Sequence, residues 1–523
     1  MHRKLWERFE HSLTGGAVII GLASVASRIL GLVRDNLFAQ KFGATAVLDT
    51  YNAAFKIPDF IFNMLVLGAL FAAFVPVFIE YWHQNHNESW RLVQSIFNLL
   101  LLGLFIFGGV AYFFAEEIMQ LLVGAWSAEL QQQSASLMRI MLISMIFFGA
   151  SNVLSGILNS FRKFTAYALA PILYNLGIII GIVFFEDQFG PLGLAYGVVL
   201  GALLHFLVQI PGAYKVGFRW KPTVSWSHPG VKKILKLMAP RSFALGITQF
   251  NLLIVTGIIA ARLSEGSLTI WSWADNLQHF PINVFGVSLA LSAFPIFSQA
   301  FVQKNNVMFV KIFSESFRRI LFCIIPMSVA ILLLRAQIVR LILGLGHGAF
   351  GWDATEQTAQ TLGFFSISLF AQASIPLLAR AFFAQQDTKT PVMTSIISVI
   401  INTVLSLWLV QSLGLYGIAL AFSIAALVNM LMLLATLRIR IGDIDDAHII
   451  RSALKIACAS LLMGFIIQGA KYSIAPLVDM RTYFGLLTQT SLSVFVGGIT
   501  YLIIAFAWKF PEVEKLKVWF AKI

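Results

Sequence analysis

A chain of 523 residues that is 58% hydrophobic and only 12% charged, with a mean hydropathy of +0.82, is not a soluble domain, where about a quarter of residues carry charge. Its net charge of +13 does not indicate nucleic acid, because no basic cluster interleaved with aromatic residues occupies a soluble surface. The two cysteines, Cys323 and Cys458, lie far apart within apolar runs and are expected to be small core residues, not a disulfide or a thiol site.

In chain order, residues 1–14 open a basic stretch, "MHRKLWERFEHSLTGG", without a short apolar core and small-residue cleavage site, so a retained cytoplasmic N-terminal segment is expected rather than a signal peptide. Apolar windows then predict fourteen helices, near 15–35, 54–80, 95–115, 135–160, 165–185, 190–212, 234–262, 269–300, 316–342, 357–384, 390–412, 415–437, 450–470 and 484–509. About 20 such residues cross roughly 30 Å of hydrocarbon. Short turns such as "FEDQFGPLG" and "VQSLGLYG" imply antiparallel neighbours. The reading is an all-α polytopic membrane protein.

Basic residues mark every second connection: Arg162 and Lys163, Lys215 through Lys236, Lys304 through Arg319, Arg380 and Lys389, and Arg438 through Lys455. The N-terminal segment and the tail are basic too. The intervening "AEEIMQLLVGAWSAELQQQSA" holds three glutamates and no Lys or Arg. Cytoplasmic loops carry the excess of Lys and Arg, so both termini are expected inside a multi-pass cytoplasmic membrane protein.

The chain also resembles itself at a spacing of about 220 residues. "AAFVPVF" (72–78) recurs as "SAFPIFS" (292–298), and Pro58 precedes Pro76 as Pro281 precedes Pro295. "FRKFTAYALAP", ending at Pro171, recurs as "FAQQDTKTP", ending at Pro391, and "LGLAYG" as "LGLYG". This divides the chain into an N-lobe of six helices (15–213), an inter-lobe cytoplasmic loop (214–233), a C-lobe of six (234–440), two further helices (441–510) and a cytoplasmic tail (511–523). Repeats with an even number of helices share one orientation and relate by an axis along the membrane normal, as in transporters.

Ionisable groups inside spans cost about 2.5–3.5 kcal/mol each at mid-helix, so they face protein or water and mark function. The first lobe carries Arg28, Arg34, Asp35, Asp49 and Lys56. The second offers Arg241, after Pro240, and Asp275 in "WSWADNLQHFP". Six helical residues separate Arg28 from Arg34, placing them about 120° apart on the wheel, so both can border one broad cavity without forming a single stripe. The plainer readings are snorkelling for the arginines, interfacial placement for Lys56 and Arg241, and a helix-start charge for Asp275. "HQNH" (83–86) and "GLGHGAFG" (344–351) read as loops; no Walker A, zinc motif or nucleophile elbow appears, and no cofactor or metal is expected.

"ASRILGLVRDNLFAQKFGATAVLDTYNAAFKIPDF" followed by "GALFAAFVPVF" resembles the first two helices of the MurJ (MviN) family, lipid II flippases of the MOP exporter superfamily. "APRSFALGITQFN", "WADNLQHFPINVFGVSLALSAFPIFS" and "FFAQQDTKTP" resemble its later motifs, so the resemblance covers nearly the whole chain. It implies a MOP/MATE-like fold with two lobes around a central cationic cavity, and a groove formed with helices thirteen and fourteen for a polyprenyl tail. It also implies a lipid-linked diphosphate-sugar substrate, a bacterial inner-membrane location and transport rather than enzymatic activity. Cell-wall synthesis proteins are candidate partners and a monomer is expected.

By position, Arg28, Arg34, Asp35, Asp49 and Lys56 match the family's first-lobe charges. After "KIPDF" the family usually has paired arginines and then a glutamate; Phe62, Asn63 and Leu67 stand there, and Asn276 replaces the arginine usual after "AD". The substrate-binding set is therefore expected to comprise Arg28, Arg34, Asp35, Asp49, Lys56, Arg241, Asp275 and Asn276. Arginine forks suit phosphate oxygens, so Arg28 and Arg34 are assigned the diphosphate, with Asp35 and Asp49 holding or releasing them. The alternatives are an exporter of another lipid-linked oligosaccharide or of drugs, a membrane glycosyltransferase using Asp35 or Asp49 as base, and a transport-dead scaffold.

Overall fold

The computed structural model describes residues 13–67, 74–344 and 348–513, and of these the side chains of all but 13–17, 67, 239–241 and 243–245. The first segment's opening residues, most of the predicted tail and the Arg241 side chain lie outside that set. The described residues form helices joined by turns, with no strand among them. They divide into two compact units, Met1–Leu268 and Thr269–Ile523.

The first unit contains α1 (Leu13–Phe42), α2 (Ala46–Phe62), α3 (Val75–Gln84), α4 (His86–Phe113), α5 (Ala115–Val123), α6 (Ala128–Ser160), α7 (Phe164–Ile180), α8 (Leu192–Leu207) and α9 (Pro229–Arg262). Asn85, Ser127 and His228 accept backbone N–H groups at the starts of α4, α6 and α9, satisfying donors that a helix start leaves free. Helices α7 and α8 approach backbone to backbone: a Cβ at Gly177 would fall on Gly201, and one at Gly181 on Gly197. Small residues are what permit such contact where lipid removes the hydrophobic drive for association. The loop that follows α8 is stitched to α4. Asn98 Nδ2 donates to the carbonyls of Lys221 (2.7 Å) and Thr223 (2.8 Å), Gln94 Nε2 donates to Arg219 O (2.9 Å), and Trp220 Nε1 donates to Asn98 Oδ1 (3.0 Å).

The second unit holds α10 (Ser267–Pro281, whose first two residues belong to the first unit), α11 (Ser288–Val302), α12 (Asn306–Leu343), α13 (Trp352–Ser366), α14 (Leu369–Ala384), α15 (Lys389–Leu413), α16 (Leu415–Ile441), α17 (Asp446–Ile474) and α18 (Tyr483–Ala507). Its core runs through Phe297, Phe313, Leu377, Phe382, Leu437 and Ile456, all buried. Helices α13 and α14 are one bent pair, turned by 48° at a break where the Ser368 N–H bonds Phe365 O in a tighter turn and the Ser368 hydroxyl donates to Ser423 Oγ of α16.

The sequence repeat is also a backbone repeat. A π turn follows each matched proline, Asn63–Leu67 after Pro58 and Ile282–Val287 after Pro281. Left-handed turn residues recur at Arg162 and Gln386, and at Gly190 and Gly414. Among the described residues ten helices are long and apolar enough to span a membrane, or eleven counting the bent pair. The predicted segments 15–35 and 234–262, and the described parts of 54–80, lie in helices but fall outside that set, so length and hydropathy do not by themselves establish fourteen spans. One expectation is corrected: Cys458 is exposed, and Cys323 only partly buried. An apolar residue of a spanning helix can face lipid, so apolar surroundings in sequence do not place it in a protein core.

Candidate functional site

The first charged cluster is built on α1 and α7. Arg34 Nη2 and Nε donate to Asp35 Oδ1 at 2.7 and 3.0 Å, and Nη1 donates to Asn175 Oδ1 at 3.1 Å. Asn175, buried on α7, donates in turn to Ser27 O and Ser27 Oγ (both 3.2 Å) and to Pro171 O (3.1 Å). The guanidinium is thereby held at a fixed angle, with donors still unused on a group that carries five. Tyr51 on α2 and Tyr174 on α7 stand close enough to feel the Arg34 charge.

Arg28 has a different setting. It stands on the exposed face of α1 among Val25, Ile29 and Leu32, while Arg34 turns toward α7. The two arginines are thus presented separately, as a 120° offset requires. Lys56 is half-buried on α2, and its charge reaches Asp59, a carboxylate that sequence reasoning passed over in "KIPDF". Asp49 is buried in the first turn of α2, and its Oδ2 accepts the Gly266 N–H at 2.7 Å. Gly266 adopts φ +87°, and a Cβ there would fall on the Ala44 carbonyl. Asp49 therefore fastens the turn after α9 to the first turn of α2.

The departures from the family pattern have packing partners. Phe62 lies against Phe148 (ring centroids 5.8 Å apart), which contacts Tyr174 (4.8 Å) and His205 (5.2 Å). Asn63 Nδ2 donates to Asp59 O at 2.8 Å, within its own helix. His205 belongs to a buried polar set with Ser151 (2.6 Å to Nδ1), Gln209 and Ser155, linking α6 to α8 and the residues that follow it.

In the second unit Asp275 is partly buried on α10, and Asn276 beside it is exposed. Asp275 Oδ1 accepts from Gln278 Nε2 (2.9 Å), Gln278 Oε1 accepts from Gln372 Nε2 (2.9 Å), and Gln372 Nε2 also donates to Ser368 Oγ (2.9 Å). This chain of amides ties α10 to the α13–α14 break. His279 Nδ1 lies 2.8 Å from Asp275 O. None of these glutamines was singled out from sequence, since a glutamine in an apolar run announces no partner. Lys41 is a further residue that sequence reasoning missed: at the end of α1 its Nζ meets Glu186 Oε2 and Asp187 Oδ1, each at 2.6 Å, and Ile182 O at 2.9 Å. The acidic turn "FEDQFG" was its only signal. No group of three or more metal-ligating side chains occurs among the described residues.

Two units of long apolar helices with repeated prolines and π turns, carrying charged groups within their apolar helices, define a polytopic helical membrane protein built on a repeat. A multidrug-resistance MATE family transporter in an inward-facing conformation superposes with a TM-score of 0.67 over 80% of this chain and 96% of its own, at 16% identity, a likeness of fold alone. The chain belongs to the lipid II flippase MurJ family, whose model matches residues 38–488. It is 30% identical to the lipid II flippase MurJ of Burkholderia cenocepacia over 80% of this chain and 82% of that protein. It is likewise 30% identical to the probable lipid II flippase MurJ of Buchnera aphidicola subsp. Acyrthosiphon pisum over 93% and 95%. A solved lipid II flippase MurJ in an inward closed conformation matches with a TM-score of 0.78 and 27% identity, covering 95% of this chain and 99% of that one.

Proposed function

We propose that this chain flips lipid II, a polyprenyl-diphosphate-linked peptidoglycan precursor, from the inner to the outer face of the bacterial cytoplasmic membrane by alternating access. The observation that carries the reading is the Arg34 cluster, a guanidinium fixed by Asp35 and Asn175 within a spanning bundle of a MurJ family member. A sugar diphosphate cannot shed its hydration into hydrocarbon. A guanidinium already positioned by neighbours replaces part of that hydration at little ordering cost, and its planar fork suits phosphate oxygens. The polyprenyl tail need not leave the lipid.

In this reading Arg28 and Arg34 bind the diphosphate, Asp35 positions Arg34, and Lys56 adds positive potential. Asp49 holds the α2 start in place. Arg241, Asp275 and Asn276 contribute from later in the sequence. The termini face the cytoplasm and the protein acts as a monomer. The test is complementation of a flippase-depleted bacterium by R28A, R34A and the double variant, with membrane levels matched. The double variant is expected to fail; wild-type growth with both arginines removed would overturn the assignment.

A second reading has its own observation. Phe62 is packed into an aromatic cluster and Asn63 bonds its own helix, so positions where the family usually has arginine carry no charge. Fewer cations favour a head group with less negative charge, such as another lipid-linked oligosaccharide. Transport of purified lipid-linked substrates in proteoliposomes separates the two readings.

A further inference from the structure

The second unit carries two cations that the flipping mechanism does not use. Arg335 on α12 and Lys471 in the last turn of α17 bond consecutive carbonyls of α12. Arg335 Nη1 donates to Leu332 O at 2.6 Å, and Lys471 Nζ donates to Leu333 O at 3.2 Å. The two charges repel each other. Both side chains are partly exposed, and among the described residues neither has a carboxylate within 4 Å. The acidic groups of the neighbouring elements are Asp353 and Glu356 at the exposed start of α13, and Asp479 in the turn before α18. Asp353 is occupied by Gln357, and Asp479 accepts the backbone N–H of Arg481. The polar neighbours are neutral amides: Gln360 Oε1 lies 3.4 Å from Arg335 Nη2, and Gln489 Nε2 donates to Lys471 O at 2.8 Å.

A guanidinium with five N–H donors and an ammonium with three retain unused donors here. Holding two like charges together without a counter-charge favours an anion at that spot. The surroundings say where the anion comes from. Helices α12 and α17 run parallel: Ser314 near the start of α12 meets Asp445 just before α17, and further along both helices Gly464 packs on Val329 and Leu333 and Lys471 Nζ meets Leu333 O. Around their ends Tyr472, Leu477, Tyr483 and Phe484 are exposed. Exposed tyrosines at the ends of spanning helices mark the headgroup level of a bilayer, and basic residues at that level bind anionic headgroups.

We infer that Arg335 and Lys471 form a binding site for the phosphate of an anionic phospholipid, of the phosphatidylglycerol type, at the end of the second unit where α12 and α17 finish. The alternation of basic loops puts this end at the outer face; the other cations at this end are Arg340, which donates to Phe350 O, and the exposed Arg481 in the turn before α18. The site does not depend on what the protein transports.

The test uses the full chain in detergent and native mass spectrometry, titrating phosphatidylglycerol, phosphatidylcholine and undecaprenyl diphosphate separately. R335Q and K471Q are each expected to weaken phosphatidylglycerol binding about fivefold, and together about 25-fold, the factor that ~1 kcal/mol per basic residue near an anionic surface implies. Phosphatidylcholine binding should not change. The charge-preserving pair R335K/K471R should retain phosphatidylglycerol, and unchanged melting temperatures show that each variant is folded. The inference is overturned if R335Q/K471Q binds phosphatidylglycerol as wild type does, or if R335K/K471R loses as much as the glutamine pair. It is also overturned if only undecaprenyl diphosphate responds to the substitutions, because the site then belongs to the transported substrate.

Discussion

Asn175→Ala tests whether the Arg34 cluster is a positioned unit or a set of incidental contacts. The side chain accepts from Arg34 at 3.1 Å and shares its two amide hydrogens among Ser27 O, Ser27 Oγ and Pro171 O at 3.1–3.2 Å. In a soluble core one hydrogen bond to a charged group and two neutral ones would sum to about 2.5–6 kcal/mol. Between spanning helices each contributes about 0.6 kcal/mol on average, because the unfolded chain in the membrane also finds partners. The expected loss of stability is therefore about 1–2 kcal/mol. Arg34 keeps Asp35 but loses its link to α7. A transport loss of about tenfold would correspond to ~1.4 kcal/mol of lost transition-state stabilisation. Denaturant unfolding in micelles of wild type, N175A, R34Q and the double variant gives a coupling energy, and fluorescent lipid II transport in proteoliposomes gives the activity. Additive stabilities together with wild-type transport by N175A would refute the claim that Asn175 positions Arg34.

Two further substitutions test the scaffold. Gly266→Ala places a Cβ on the Ala44 carbonyl at a residue with φ +87°, and displaces the N–H that Asp49 accepts. A loss of about 3 kcal/mol or more, read as a lowered melting temperature, is expected, since strained backbone and overpacking each cost ~1–3 kcal/mol. Asp387, in the turn before α15, is pushed up by burial. Hydrogen bonds from the Thr390 hydroxyl and N–H, the Arg440 charge and the Lys389 N–H outweigh this and hold it below the ordinary 3.8. A depressed carboxylate stabilises the fold above its unfolded pKa, and that contribution is lost as the pH falls through the folded value. Asp387→Asn should thus melt below wild type at pH 7, and the gap should close in acid below pH 3.8. A gap independent of pH would contradict the ion-pair account.

The legibility of the site varied by residue type. Arg34 and Asp35 stood out because charge is rare and costly in an apolar run, and the structure does pair them. Asn175 was visible only as a mid-span amide, with nothing in the sequence pointing to Ser27, 148 positions away. Lys41 and its acidic partners, and the Asp275–Gln278–Gln372 chain, join segments whose approach depends on helix packing. Phe62 read as a lost charge; only its contact with Phe148 shows that it is built into an aromatic cluster. The cysteines misled because apolar sequence does not distinguish a lipid-facing side chain from a core one.

By itself the sequence determined the helical membrane class, the positions of most of the helices, their repeat at about 220 residues and the family. Each of these is local or periodic. An apolar run must satisfy its own backbone in lipid and so becomes a helix, and a proline disturbs the ladder wherever it falls. Tertiary structure alone decided which charges meet. It turned Arg34 toward Asn175 and left Arg28 on the open face of α1. It also closed Asp49 on Gly266 and brought Arg335 and Lys471 onto adjacent carbonyls. Hydrogen bonds and ion pairs act over a few ångströms, so their partners are fixed by helix rotation and packing, which no spacing along the chain encodes.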